Sequence, residues 1–389
     1  MLVNKTPSIS VKNPRILILS LREIKFHVSR CFLYEFEDAI ANFDMVDMLT
    51  PRLSPDLFKI TNNLATHTVK WLNLNQMINP LMQNIRLKQE YELIFIFCQY
   101  PSDLLAINSL KGWRQKCQKA VCFLDEVWLE ELEQWKNHLE ILNDFDAVFL
   151  AQFSCFYQVA EMLKTSCYWM PMSVDALKFF PYPVQPERSV DVYNIGRRSP
   201  VTHQGLLDMA GKQDFFYVYD TLKSLYMRNY SDHRQMYINL LKRSRYFIAN
   251  KPKIEQAYNT GGKDDLSSRF FEGAAAGTVI LGVPPEGEAF TTTFNWEDAV
   301  IPMPYDVPNI AEFIAELDAQ PERLESIRRN NMVNSLLHHD SVYRWEKILQ
   351  SVGMDSTPEM ETRKAYLQEL AGRVSSQEIS MEEGKTVCS

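Results

Sequence analysis

Apolar residues in this chain come in short unbroken runs separated by longer polar stretches. In the first half the runs are Arg15-Ile-Leu-Ile-Leu-Ser20, Phe43-Asp-Met-Val-Asp-Met48, Tyr91-Glu-Leu-Ile-Phe-Ile-Phe97, Lys119-Ala-Val-Cys-Phe-Leu124, Ala147-Val-Phe-Leu-Ala151 and Cys167-Tyr-Trp-Met170. Nearly continuous apolar runs fit strands covered on both faces, as in parallel sheets. A helix-like stretch over 29–42 follows the first run, and the later polar segments are long enough for crossover helices. Strand, helix, strand repeated in this way predicts a doubly wound α/β sheet over 14–172.

The pattern breaks between Pro171 and Pro186, where Pro171, Pro181, Pro183 and Pro186 crowd a segment unsuited to helix or central strand. We read this as an inter-domain linker. The alternation restarts at Asp191-Val-Tyr-Asn-Ile195 and continues through strands over 215–219, 246–249 and 278–281, with helices over 205–210, 234–242 and 268–276 between them. A second doubly wound domain over 187–353 is predicted, its last part (310–350) helical. A helix over 358–373 and a polar, disordered tail from Ser375 complete the segment 354–389. The fold class expected is therefore α/β, with two Rossmann-like domains facing across a cleft.

Charge and cysteines narrow the chemistry. The net charge of −8, with no long basic run, disfavours a nucleic-acid surface, which needs clustered Lys and Arg against phosphates. Seven scattered cysteines include no C-x-x-C pair, so packed, reduced thiols and a cytoplasmic setting are expected. No window approaches the eighteen apolar residues of a membrane span, and the first thirteen residues lack the apolar core of a signal peptide.

The most informative stretch runs from Asn259 to Leu281. A Gly-containing loop leads to Ser267 and Ser268, either able to cap a helix; the helix passes through Arg269 and Glu272 and stops at Gly277, and a buried strand follows at once. Such a helix start presents free N–H groups to an anion, above all a phosphate. Glu272, one turn inside, suits bidentate acceptance from two ribose hydroxyls. An acidic residue in a first turn also has a plain role, compensating the helix dipole. The small residues from Gly273 to Ala276 allow close packing.

This segment resembles the donor-binding signature of group-1 glycosyltransferases, and especially the branch that includes spore-maturation-type proteins. In that family an arginine, two apolar residues and a glutamate open such a helix, which matches Arg269, Phe270, Phe271 and Glu272. Asp264 stands where the larger family often has a second glutamate. Val190-Asp-Val-Tyr-Asn-Ile-Gly-Arg-Arg198 is similar to the first strand of the family's C-terminal domain, with Gly196 for a tight turn. Met170-Pro-Met-Ser-Val-Asp175 followed by Phe179-Phe-Pro181 is similar to its linker. The resemblance covers roughly 145–350 and implies a GT-B glycosyltransferase transferring a sugar from a nucleotide-diphosphate sugar, with retention and without an essential metal or other cofactor. The acceptor is a glycan, a lipid-linked or a small molecule.

On this picture Glu272 holds the donor ribose. Arg197, Arg198, His203 and the N–H groups near Ser267, Ser268 and Arg269 meet the diphosphate, with Lys251 and Asp264 beside them. Asp125 and Glu126, ending an apolar strand in the N-terminal half, stand where a carboxylate acts as base toward an acceptor hydroxyl or caps the following helix. Two other readings share the architecture: a nucleotide-sugar epimerase, and a non-catalytic protein that keeps the fold. Asp144-Phe-Asp146 precedes a strand and reads as a turn, not a metal motif. Asp340, after His338 and His339, reads as a helix cap.

Overall fold

The computed structural model describes residues 14–72, 74–182, 185–212, 214–221 and 225–376. The expectations for the first thirteen residues, Pro183 and the tail from 377 lie outside the described residues. The N-terminal lobe carries β1 (Ile16–Leu19), β2 (Val46–Leu49), β3 (Ile85–Arg86), β4 (Tyr91–Cys98), β5 (Leu110–Lys111), β6 (Cys117–Leu124), β7 (Ala147–Leu150) and β8 (Ser166–Trp169). Six of these form one parallel sheet in the order β2-β1-β4-β6-β7-β8, and β3 pairs with β5 outside it. In the C-terminal lobe β9 (Val190–Asn194), β10 (Tyr217–Tyr219), β11 (Ser244–Ile248), β12 (Val279–Gly282) and β13 (Ile301–Pro302) form a second parallel sheet, ordered β10-β9-β11-β12-β13.

The apolar runs become these strands because both faces are covered. Along β1, Ile16 and Ile18 enter one core while Leu17 and Leu19 enter another, and all four side chains are fully buried. The first of those cores continues into the C-terminal lobe through Phe247, Phe270 and Phe271, so the lobes share apolar contact. The outer face of the second sheet has its own core around Tyr246, Val279 and Leu281.

Helices cover the sheets. The first lobe has α1 (Cys31–Phe43), α2 (Pro55–Trp71), α3 (Leu132–Leu139) and α4 (Phe156–Met162), and the linker contains α5 (Ala176–Phe179). The second has α6 (Pro200–Lys212), α7 (Tyr230–Lys242), α8 (Ser268–Ala275), α9 (Glu288–Thr293), α10 (Ile310–Asp318) and α11 (Pro321–Asn334), then α12 (Ser341–Ser351) and α13 (Pro358–Ser375). Pro200 opens α6.

Chain order and space part company at the end. Helix α12 reaches back to the first lobe, where Trp345 Nε1 donates to Asp44 at 3.0 Å and its ring meets Phe95 edge-on. Asp340 caps α12 as expected, accepting from the Val342 N–H at 2.9 Å. The same carboxylate accepts from the Ala176 N–H of the linker and from Arg363 of α13. One buried carboxylate thereby fastens linker, α12 and α13 together.

In each sheet the strand order reverses at one point, between β1 and β4 in the first and between β9 and β11 in the second. Open α/β sheets bind ligands beyond the carboxyl ends of strands at such points. Around them the lobes already touch: the Val28 N–H donates to the Leu225 carbonyl at 3.0 Å, and the Met227 N–H to Phe26 at 2.7 Å.

Candidate functional site

The loop after β9 turns at Gly196, whose φ of +82° is left-handed and suits a residue without Cβ. The Gly196 N–H donates to Asp220 Oδ1 at 2.9 Å, and Arg198 makes an ion pair with the same carboxylate while lying over the Tyr219 ring. A Cβ on Gly196 would stand 2.3 Å from Nη2 of Arg269. The guanidinium of α8 therefore lies against this loop, and a side chain at position 196 would have to displace it. Asp220, at the carboxyl end of β10, was missed by sequence reasoning; the carboxylate directly after Tyr217-Val-Tyr219 was the available signal.

Helix α8 begins where the sequence placed it. Ser267 is its N-cap, accepting from the Arg269 N–H at 3.4 Å, and Ser268 is its first residue. Gly277 follows the helix at φ +62°. Close packing is confirmed at Gly273, where a Cβ would approach Ile280 at 2.9 Å and Phe247 at 3.0 Å. The first turn of α8 and the loop at Gly196 thus meet at the reversal point of the second sheet. Lys251, just past β11, donates to Asp264 at 2.8 Å, and Asp264 also accepts from the Glu286 N–H at 2.9 Å.

Arg197 is exposed on the same loop. His203 lies on α6 with Nδ1 2.8 Å from the Tyr217 hydroxyl, its ring against Tyr219. Burial, and then the Arg198 charge, lower its pKa. Both effects disfavour the charged imidazolium at this position.

Glu272 is buried at the junction of the lobes. Its Oε1 is 2.7 Å from Arg234 of α7, its Oε2 accepts from the Tyr237 hydroxyl at 2.7 Å, and Arg234 also reaches Glu35 of α1 at 2.7 Å. Burial by itself disfavours the Arg234 cation, but Glu272 and Glu35 more than offset this and hold it ionised. The carboxylate sits deeper, and is more fully engaged, than the open first-turn position implied by the sequence. Each of its oxygens keeps a second lone pair.

Across the gap, Asp125 and Glu126 follow β6, their N–H groups donating to Cys98 and Gln99 of the neighbouring strand. They do not cap α3. Glu126 accepts from Gln99 Nε2 at 3.2 Å and from the Trp128 indole at 3.3 Å. Burial and then repulsion from Glu126 push the Asp125 carboxyl well above its ordinary range; Arg30 opposes the rise and Asp265 adds to it. The folded state therefore keeps a proton that the unfolded chain releases near pH 4. Stability from this group is complete below about pH 4 and declines as pH rises toward the folded pKa. We expect Asp125→Asn to gain stability relative to wild type with increasing pH, read from urea midpoints across pH 4–8 (a range set by the carboxylate reference values); parallel profiles would refute the assignment.

Asp265 was also missed. It leaves the second lobe to accept from the Phe153 N–H at 2.7 Å, the Ser154 N–H at 2.9 Å and the Ser154 hydroxyl at 2.5 Å, all after β7 of the first lobe. It stands beside Asp264, which the sequence did single out. Asp146, set aside earlier, binds Arg114 at 2.9 Å and the Ala120 N–H at 2.7 Å.

Residues 208–350 match the model of a family described as glycosyl transferase-like. This is the second lobe from within α6 almost to the end of α12. No curated protein matches the chain. Among solved structures, it is similar to TarM of S. aureus at 10% identity, covering 67% of this chain and 55% of that one with a TM-score of 0.43. It is also similar to the pneumococcal O-GlcNAc transferase GtfA solved with UDP and GlcNAc, at 11% identity over 80% of this chain and 59% of that one, TM-score 0.36. A third similarity is to AviGT4, a glycosyltransferase of avilamycin A biosynthesis, at 9% identity over 95% and 99% of the two chains, TM-score 0.40. The chain spans just over half the length of TarM.

Proposed function

We propose that this chain is a GT-B glycosyltransferase that takes a nucleotide-diphosphate sugar in its C-terminal lobe and transfers the sugar to an acceptor held by the N-terminal lobe. The observation that carries this is the meeting of the Gly196 turn with the Arg269 guanidinium at the start of α8. A helix N-terminus, a turn that brings backbone close, and a guanidinium suited to bidentate binding are what a diphosphate requires. The Arg269-to-Glu272 spacing and the glycosyl transferase-like match over 208–350 favour the same reading; the spore-maturation-type branch rests on the sequence resemblance alone.

Transfer leaves negative charge on the departing diphosphate, so fixed positive groups near it lower the barrier. Arg269 is the first such group, with Arg197 reaching in from the exposed side of the turn and the N–H groups of Ser268 and Arg269 on the helix axis. Arg198 and Lys251 are paired to Asp220 and Asp264 and act mainly by fixing the loops. Glu272 takes the adjoining ribose through its remaining lone pairs. Asp125, whose carboxyl burial pushes above its ordinary range, hydrogen-bonds the acceptor hydroxyl from the opposite lobe, and in its ionised form accepts that hydroxyl's proton. Neither a metal nor another cofactor is needed for these roles, and retention of configuration accords with the family resemblance. The six described cysteines are free thiols, which suits a reducing cytoplasm.

A nucleotide that binds only the folded state raises the melting temperature, by about 2.7 kcal/mol of stabilisation at a hundred times its Kd. A thermal-shift series over nucleoside diphosphates and their sugars should therefore single out the donor. Arg269→Ala is expected to remove most of that shift while leaving the unliganded melting temperature nearly unchanged, because the guanidinium lies in a turn and not in a core. A full shift in that variant would rule out the diphosphate site.

A further inference from the structure

Large apolar side chains are often exposed singly, and then mean little. Here they are gathered. Eight of the eighteen exposed among the described residues lie between positions 57 and 82. On α2 they are Leu57, Ile60 (66% exposed), Leu64 (68%) and Trp71 (84%). At 100° per residue these four fall within about 60° of one another, and about 130° from Phe58, Ala65 and Val69, which face the core. The helix thus has two apolar faces, of which the fold uses one. The chain after α2 extends the free one: Leu72, Leu74 and Met77 follow its end, and Met82 is exposed where the segment has run back along the helix. That return path is fixed by Thr61, which donates to the Pro80 carbonyl at 2.6 Å, and by Gln83, which donates to Arg52.

Charge identifies the occupant. From 52 to 88 there are five basic residues (Arg52, Lys59, Lys70, Arg86, Lys88) against one acidic residue, Asp56, in a chain whose 49 acidic residues outnumber its 41 basic ones. Arg52, Lys59, Arg86 and Lys88 are exposed, while Lys70 is held over the Trp135 ring. At the start of α2 a cavity of about 410 Å³ is lined by Arg52 and Arg228 together with Glu23, Phe26 and Leu53. An amphipathic helix ending in an exposed tryptophan, with basic residues around it, matches the interface of an anionic bilayer. We propose that the α2 edge of the N-terminal lobe docks on an anionic lipid surface, burying Leu57, Ile60, Leu64 and Trp71 at the headgroup boundary. This docking does not depend on the glycosyl-transfer reading.

Co-sedimentation of the full chain with vesicles tests it. The protein should pellet with vesicles containing phosphatidylglycerol, much less with phosphatidylcholine alone, and release as salt is raised. Combining Ile60→Glu with Leu64→Glu should cut the bound fraction about ten-fold or more. Both positions are solvent-exposed, so the melting temperature and any nucleotide-induced shift should be unaltered. Failure of wild type to pellet with either vesicle overturns the proposal, as does binding that the double variant retains. A dimer in analytical ultracentrifugation that the double variant dissolves assigns the face to a second copy and equally overturns it.

Discussion

Replacing Glu272 with alanine is expected to lower stability by about 3–5 kcal/mol, the range for breaking a buried ion pair. The variant would strip one carboxylate from Arg234 and leave the Tyr237 hydroxyl without its acceptor. A solvent-open ribose ligand could be replaced without cost to the fold; the ion pair with Arg234 makes Glu272 structural as well. Glu272→Gln separates the two roles, since it keeps volume and an acceptor oxygen and should cost less, about 1–3 kcal/mol. Urea denaturation gives the stability, and a nucleotide thermal shift on the Gln variant gives the binding. A loss below about 1 kcal/mol for the alanine variant would contradict the buried network. An undiminished nucleotide shift in the glutamine variant would remove Glu272 from the ribose.

Asp265→Ala should produce the second large effect. Three donors from the first lobe converge on this carboxylate, and the Phe153 and Ser154 N–H groups have no equally placed substitute. Hydrogen bonds to a charged group contribute about 1.5–3 kcal/mol each and are not additive, so a loss near 3 kcal/mol is expected. Because the lost bonds join the lobes, unfolding should also become less cooperative, with separate transitions in calorimetry where a single one is expected for wild type. Amide exchange at Phe153 and Ser154 should quicken in the same variant. Unchanged exchange there together with a single transition would show that Asp265 does not couple the lobes.

The strands were legible because each central run is apolar on both faces, and β4 is the plainest case: of its eight residues only Glu92 is exposed. The weak elements were not. Strands β3, β5 and β13 have two residues each and no pattern of their own. In the site, Ser267, Gly277 and the small face of α8 could be read locally, since capping and close packing act over a few residues. Arg234 and Asp265 could not, because nothing near them in sequence says which distant group each will meet; Asp220 had a local signal in its place directly after β10, but nothing local named Gly196 and Arg198 as its partners. His203 shows the same limit from the other side: the sequence set it at the diphosphate, while the burial and the Arg198 charge that lower its pKa come from the tertiary structure.

By itself the sequence determined two parallel α/β lobes, the linker between them and the position of the helix beginning at Ser268, because periodicity, capping and proline act locally. Tertiary structure alone decided that Glu272 shares Arg234 with Glu35, that Arg269 rests on Gly196, and that Asp265 ties the lobes together. It also decided which face of α2 stays open to solvent. Burial and charge pairing depend on segments far apart in the chain, 199 residues in the Glu35–Arg234 contact and 301 in the Asp44–Trp345 contact.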